Sequence, residues 1–471
     1  MTPLAALVLP AIRWDGERGF APAFAAAEAA LSLGVGGFIV FGGERGAVAR
    51  LTRDLAAAAP HRLLLASDFE RGAGQQIAGL TPLPPALALG SLGDAAVAEA
   101  ARITAREARD VGINWALAPV ADLDVEPANP IVQTRAFGGD PVPVGAAVGA
   151  WVAACQAGGV LACAKHFPGH GRTTTDSHSE LPVVTAPRET LEADLLPYRR
   201  AIGENVAGVM TAHVAYPALD PSGAPATYSP PVLDGVLRQR LGFGGLVVTD
   251  ALIMEGALQG TSEASGAVRA LAAGCDLLLY PKDVATVVGA IERAAGSREL
   301  ERRRLDASLA RRAAALERAA APRPLGDVDI AAHRGRAGEI ARSAVRLLRG
   351  ELRRRPEAVE LAVVDDDAGG PYPVPPRTAF ASELAARGVA LRQGGERVVL
   401  VFADVKAWKA RVALSAASRR ALAAALARPA ITVLFGHPRL AAEVPGPGPV
   451  LCAWSGDEVM QRAAAERLLT A

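Results

Sequence analysis

The chain has 471 residues, 51% of them hydrophobic, and 50 Lys and Arg stand against 49 Asp and Glu for a net charge of +1. That length exceeds one ordinary core and predicts two or three domains, and so even a charge balance supplies no long-range field for nucleic acid or an anionic membrane. The four cysteines, Cys155, Cys163, Cys275 and Cys452, form no CxxC pair and sit in apolar stretches, which fits buried thiols in a reducing compartment better than a disulfide framework.

At the N-terminal end no basic segment precedes the first apolar run, and Pro10 and Arg13 break that run. Neither a signal peptide nor an apolar stretch of the about 18 residues that span a membrane is recognised, so a cytoplasmic location is expected. Short apolar runs then recur at 4–9, 38–41, 63–66, 113–118, 160–164, 208–211, 246–249 and 276–280. They are too short for helices and do not alternate, so they predict strands buried on both faces. Ala-rich helical stretches such as 23–32, 95–110 and 145–157 lie between them. Strand and helix alternating eight times predict a (β/α)8 TIM-type barrel. Ionisable residues gather where these runs end: Asp68, Asp122, Lys165 and His166, His213, Asp250, then Tyr280 and Lys282. In such barrels that end is the catalytic face.

The predicted domains are a catalytic barrel at 1–320, a linker at 321–335 marked by Pro322 and Pro324, and a smaller doubly wound α/β sandwich at 336–471. Within the last, a helix is expected at 331–348, strands at 361–364, 398–402, 431–435 and 450–453, and helices at 415–427 and 458–469. Trp408 and Trp454 are sugar platforms or, more commonly for such aromatics, core.

The densest polar cluster is Lys165-His166-Phe167-Pro168-Gly169-His170-Gly171-Arg172, running into Asp176-Ser177-His178. Three readings stand open for it. His166, His170, Asp176 and His178 are metal-ligand types, although their spacing matches no standard zinc pattern. The histidines could equally satisfy backbone groups of a bland loop. Third, an imidazole titrating at about pH 6.5 can exchange protons near neutrality, with Asp176 fixing the tautomer of His178. Asp250, at the end of Gly244-Gly245-Leu246-Val247-Val248-Thr249-Asp250, is either a rigidly held carboxylate for an anomeric carbon or an N-cap for the next helix.

Several segments together resemble glycoside hydrolase family 3, in its β-N-acetylglucosaminidase branch, often called NagZ-like. The matching stretches are 164–171 with Asp176-Ser177-His178 and Leu181-Pro182, 209–217 followed by Pro225-Ala226-Thr227, 241–250 continuing to Met254, Arg135-Ala136-Phe137-Gly138, and 267–276. The resemblance covers the barrel in order and, more loosely, the region after 330. It implies Asp250 as the nucleophile of a covalent glycosyl-enzyme, and Asp176 with His178 as an acid/base dyad on a loop. It implies sugar contacts from Asp68, Arg135, Lys165 and His166, with His213 and Met254 in the matching motifs. One motif departs from the family: where Asp-x-Glu-Gly-Gly-Arg-Val is usual, this chain has Asp68-Phe69-Glu70-Arg71-Gly72-Ala73-Gly74, leaving Glu70 and Arg71 unassigned.

The activity so implied is a retaining exo-β-N-acetylglucosaminidase, with no metal and no cofactor, acting on a small GlcNAc-containing oligosaccharide or muropeptide. Its alternatives are a phosphorylase, a β-glucosidase or β-xylosidase of the same family, a metal-dependent amidohydrolase, and a non-catalytic sugar-binding or sensor protein.

Overall fold

The computed structural model describes residues 3–177, 180–258, 260–352, 355–369, 374–406, 409 and 411–470. The first barrel strand comes in two halves, β1 (Val8–Leu9) and β2 (Ala11–Arg13), divided by Pro10, which has no N–H to give a ladder. β2 pairs with β3 (Gly37–Phe41), and the sheet continues in parallel through β4 (Leu64–Ser67), β5 (Trp115–Ala116), β6 (Leu161–Phe167), β7 (Gly208–Thr211) and β8 (Leu246–Val248). β9 (Leu278–Leu279) returns to β1 in the register Val8↔Leu278 and Leu9↔Leu279. A parallel bridge from Val248 to Leu277 joins it to β8. The sheet therefore closes as the eightfold α/β barrel that the buried runs predict.

Two local departures matter. The run at 4–9 is strand only in its last two residues, because Pro3–Leu7 forms a 3-10 turn packed against the helices Val284–Gly296 and Arg302–Arg318. Proline at the first helical position, with φ already set, favours that turn. β6 runs past the predicted 160–164 to Phe167, and its register with β7 shifts between Ala164 and Phe167. Such a bulge re-aims side chains at a barrel rim, and the residues it carries are Lys165 and His166.

The helix Ile330–Ala344 begins inside the stretch expected as linker, capped by Asp329, whose side chain accepts the Ala332 N–H at 2.9 Å. Its predicted extension to Leu348 is instead β10 (Arg346–Arg349), which pairs antiparallel with β15 (Val450–Cys452). Between them come β11 (Ala358–Asp365), β12 (Ala390–Leu391), β13 (Glu396–Ala403) and β14 (Ile431–Gly436), in the order β10-β15-β14-β13-β11-β12. Apart from the β10–β15 pair the strands are parallel. Helices cover both faces and make two cores, as a doubly wound sheet requires. One core holds Phe380, Leu384, Phe402, Phe435 and Met460 and reaches Ala88 of the barrel. The other holds Val399, Val401, Leu422 and Leu434. Trp454 is core rather than sugar platform, its buried indole N–H donating to the Ala344 carbonyl at 2.7 Å. Trp408 lies outside the described residues. The four cysteines are free and buried, and no described helix is long and apolar enough to cross a membrane.

Candidate active site

The C-terminal ends of the barrel strands surround a cavity of about 270 Å³. Larger clefts lie elsewhere, among them one of about 770 Å³ among second-domain loops and one of about 860 Å³ at the opposite end of β4 and β5. In the latter the polar groups are already engaged: Asp110 holds Arg45 and the Gly326 N–H, and His61 meets the Val35 carbonyl. Only the smaller cavity gathers Asp250, a lysine and two histidines.

One wall is a paired charge network. Lys165 Nζ sits 2.7 Å from Asp68 and 2.8 Å from Glu70, and Arg135 clasps Glu70 through Nε and Nη2 at 2.9 and 2.8 Å. The lysine is 3% exposed. Burial alone would raise the Glu70 carboxyl, but the charges of Arg135 and Lys165 outweigh it and hold the group well below the usual carboxylate range. Burial likewise opposes the Lys165 charge, and Asp68 and Glu70 more than restore it. Two cations thus face two carboxylates, and the network carries no formal net charge.

A second layer orients the histidines. Asp122 accepts from His166 Nδ1 at 2.8 Å, from the His166 N–H at 3.2 Å and from the His170 N–H at 2.6 Å. A carboxylate at Nδ1 leaves Nε2 of His166 for the cavity. His170 spends both ring nitrogens inside the loop, on Thr173 Oγ1 at 2.7 Å and Ser177 Oγ at 3.1 Å. Burial pushes it down to about 4, so it stays neutral at physiological pH and acts as a tie. Gly171 is required here, since a Cβ would come within 1.9 Å of the Leu123 carbonyl oxygen.

Asp250 stands at the end of β8, its Oδ1 accepting the Ala251 N–H at 2.7 Å, and lines the cavity with Met254. Asp176 is buried beside Ser177, and the Ser177 carbonyl accepts the Gly256 N–H at 3.0 Å. The loop thus rests on the segment that follows Asp250. His178 lies outside the described residues. His213, expected to touch the sugar, lies behind the cavity wall. It is fully buried, with Nδ1 on Thr227 Oγ1 at 2.8 Å and Nε2 donating to the Ala251 carbonyl at 3.2 Å. Burial lowers its pKa, and a neutral ring braces the turn at Asp250. Among the described residues no three His, Cys, Asp or Glu side chains converge as metal ligands.

Of the opposite wall, the sequence pointed to Tyr280 and missed Arg13. Arg13, read there only as the break in an apolar run, projects from β2 with its guanidinium 4.2 Å from the Phe41 ring and 5.0 Å from that of Tyr280. Its Nε donates to Tyr280 Oη at 2.5 Å. Among the described residues it meets no carboxylate, unlike Arg135 and Lys165. Tyr280 holds φ +56°, a conformation that costs a non-glycine residue about 1–3 kcal/mol and clusters at functional sites.

Residues 8–315 match the glycosyl hydrolase family 3 N terminal domain. A beta-N-acetylglucosaminidase/beta-glucosidase of Cellulomonas fimi is 34% identical over 311 residues, 61% of this chain and 55% of that protein. The chain thus spans little more than half the length of that relative. A beta-hexosaminidase of Methylococcus capsulatus is 39% identical over 239 residues, 49% of this chain and 71% of that protein. The structure of a family 3 beta-N-acetylglucosaminidase from Paenibacillus sp. str. FPU-7 superposes with a TM-score of 0.87 at 28% identity, covering 99% of this chain and 96% of that one. A beta-glucoside phosphorylase superposes with a TM-score of 0.88 at 21% identity, a likeness of fold alone. The chain belongs to glycosyl hydrolase family 3, in its β-N-acetylhexosaminidase branch, and is a glycoside hydrolase.

Proposed function

We propose that this glycoside hydrolase is a retaining exo-β-N-acetylglucosaminidase that releases terminal β-linked GlcNAc by double displacement. The observation that carries the reading is Asp250 on the rim of a cavity whose far wall is the neutral Asp68–Lys165–Glu70–Arg135 network. Asp250 attacks the anomeric carbon, and the loop bearing Asp176 and His178 supplies the acid that protonates the leaving oxygen and then the base that activates water. Charged donors and acceptors at Lys165, Arg135, Asp68 and His166 bind sugar hydroxyls, and a site so built rejects analogues lacking them. Because the network pairs its cations with carboxylates, Lys165 and Arg135 meet sugar hydroxyls without adding net positive charge beside the oxocarbenium-like transition state.

The aglycone side favours an anion. A histidine acid/base places less negative charge there than a second carboxylate, and Arg13 offers a guanidinium that meets no carboxylate among the described residues. Peptidoglycan fragments, which carry carboxylates, fit this better than neutral chitooligosaccharides. The same cation favours, as second reading, phosphate as acceptor in place of water. Four buried free thiols suit a reducing cytoplasm.

The test is nitrophenol release from the chromogenic β-N-acetylglucosaminide and the β-glucoside, each with chelator or phosphate, and NMR of the first-formed anomer. Chelator-resistant turnover of the acetamido sugar, with the β anomer first, is expected. An α anomer appearing first would rule out the covalent Asp250 intermediate. Acceleration by phosphate with a sugar 1-phosphate as product would move the enzyme to the second reading.

A further inference from the structure

Two barrel loops carry the sugar-binding wall, and each sends one residue into the cavity side and another to the second domain. In the loop after β4, Asp68 and Glu70 meet Lys165, while the next residue, Arg71, pairs with Asp457 at the head of the helix Glu458–Leu469 and lies in the field of Asp404. In the segment after β5, Asp122 holds His166 and His170, while Asp124 turns to the loop after β14. Its carboxylate takes His437 Nε2 at 2.9 Å and Arg439 Nη1 at 2.7 Å, and its carbonyl takes Arg439 Nη2 at 2.9 Å. The Asp124 and His437 side chains are 6% and 3% exposed. Between the two aspartates, the Leu123 carbonyl is the atom against which Gly171 packs.

We infer that the second domain sets the geometry of the sugar subsite through two charged grips, Asp457 on Arg71 and the His437–Arg439 pair on Asp124. Arg71, Asp124, His437, Arg439 and Asp457 are positioning residues: none of them lines the cavity, but Arg71 and Asp124 stand one and two residues along the chain from Glu70 and Asp122, and Asp457, His437 and Arg439 bind those two. The buried Asp124–His437 contact has little freedom to slide, because a partner left alone in a dry interface is strongly disfavoured, and the half-buried Arg71–Asp457 and Asp124–Arg439 pairs add charge-assisted bonds beside it. Sub-ångström placement of hydroxyl-binding groups is what a glycosidase needs, since a misplacement of about 1 Å can cost on the order of a hundredfold in rate. The grips also answer why a doubly wound sheet with no catalytic group among its described residues is docked at the catalytic end of the barrel.

The inference rests on the cavity being the GlcNAc subsite. The experiment uses the full chain and reads the inhibition constant of free GlcNAc, which fills that subsite alone, beside kcat and KM on the nitrophenyl glycoside. Arg439→Gln and Asp457→Asn are each expected to weaken GlcNAc about tenfold with the thermal midpoint little changed, and Asp457→Glu is expected to recover most of it. Arg346→Ala removes a domain contact on neither loop, to the Ser91 carbonyl at 2.7 Å, and leaves GlcNAc binding at the wild-type value. The exchange Arg71→Asp with Asp457→Arg keeps an ion pair and should bind GlcNAc better than Arg71→Asp alone, which holds the test open if a neutral variant does not fold. Unchanged GlcNAc binding in both grip variants, or an equal loss in Arg346→Ala, overturns the inference. A wild-type chain that neither binds nor releases GlcNAc overturns the functional reading instead.

Discussion

Both halves of the molecule bring carboxylates and cations to the C-terminal ends of parallel strands, and only one of the two clusters lines the cavity that holds Asp250. In the second sheet Asp365 ends β11, Asp366 and Asp367 follow it, and Asp404 follows β13. This is where the order β12-β11-β13 reverses, the place where such sheets usually bind ligands. Here the charges are spent on each other. Arg377 bridges Asp365 at 3.0 Å and Asp367 at 2.6 Å, Lys409 takes Asp367 at 2.5 Å, and Arg411 takes Asp366 at 3.0 Å. Backbone N–H groups of Ser415 and Gly456 fill further oxygens of Asp366 and Asp404. In the barrel Lys165 and Arg135 are paired as tightly, but their partners face a cavity that also holds Asp250 and Arg13. Polar strand ends therefore do not by themselves make a site. Space beside them does, together with Arg13, a cation that meets no carboxylate among the described residues.

The largest effect that separates the two clusters is expected at Asp250. Asp250→Asn should lower kcat on the nitrophenyl β-N-acetylglucosaminide by on the order of 10⁴-fold, since removing a covalent nucleophile leaves only binding and electrostatics. Added azide should restore turnover as the α-glycosyl azide, identified by NMR. Recovery of the β-azide would mean that the carboxylate acts otherwise.

A smaller, selective effect belongs to Arg13. A hydrogen bond to a charged group is worth about 1.5–3 kcal/mol, so Arg13→Gln should lower kcat/KM about ten- to a hundredfold on an aglycone bearing a carboxylate. The uncharged nitrophenyl substrate should change by less than about twofold. Equal loss on both substrates would make Arg13 a prop for Phe41 and Tyr280 instead of a specificity residue.

The smallest effect is at Asp404, and it concerns stability. Burial, then the charges of Asp367 and Asp457, push this carboxyl up to about 6. A carboxyl whose folded pKa lies above its unfolded value, near 3.9, contributes fully only below that unfolded value. Its contribution is lost as pH rises through about 6. Asp404→Asn should therefore raise the unfolding midpoint by a few degrees at pH 8 and hardly at all at pH 4. A thermal scan that shows the same gain at both pH values would put the effect outside ionisation.

Much of this was legible in the sequence because the barrel strands are buried on both faces and write themselves as unbroken apolar runs. The dense His, Gly and Pro loop after β6 and the carboxylate after β8 stand out for the same reason, as polar residues against an apolar background. Pairings between distant residues were not legible. Glu70 meets Arg135 and Asp122 meets His166 only because the barrel brings β4, β5 and β6 side by side. His213 looks like a strand-end ligand by position, but its rotamer turns toward Thr227 and away from the cavity. Arg13 was hidden by its setting, one cation after a run of apolar residues. The helix expected to reach Leu348 stops at Ala344, because 346–349 find a partner in β15 that no local pattern announces.

Closure of the barrel sets an order of events during synthesis. Leu9 cannot meet Leu279 until that residue has left the ribosome, on the order of 15–50 s after Leu9 itself at ~5–20 residues per second. Through that interval one edge of the first strand has no ladder, and an unpaired apolar edge is a template for pairing with another chain. The seam that finally covers it is only two residue pairs long, and Tyr280 stands just beyond its end. The strand that closes the barrel thus also brings Tyr280 to the cavity that Asp250 lines. Slowing translation after β8 should lengthen the window for chaperone capture, whereas slowing it after β9 should not.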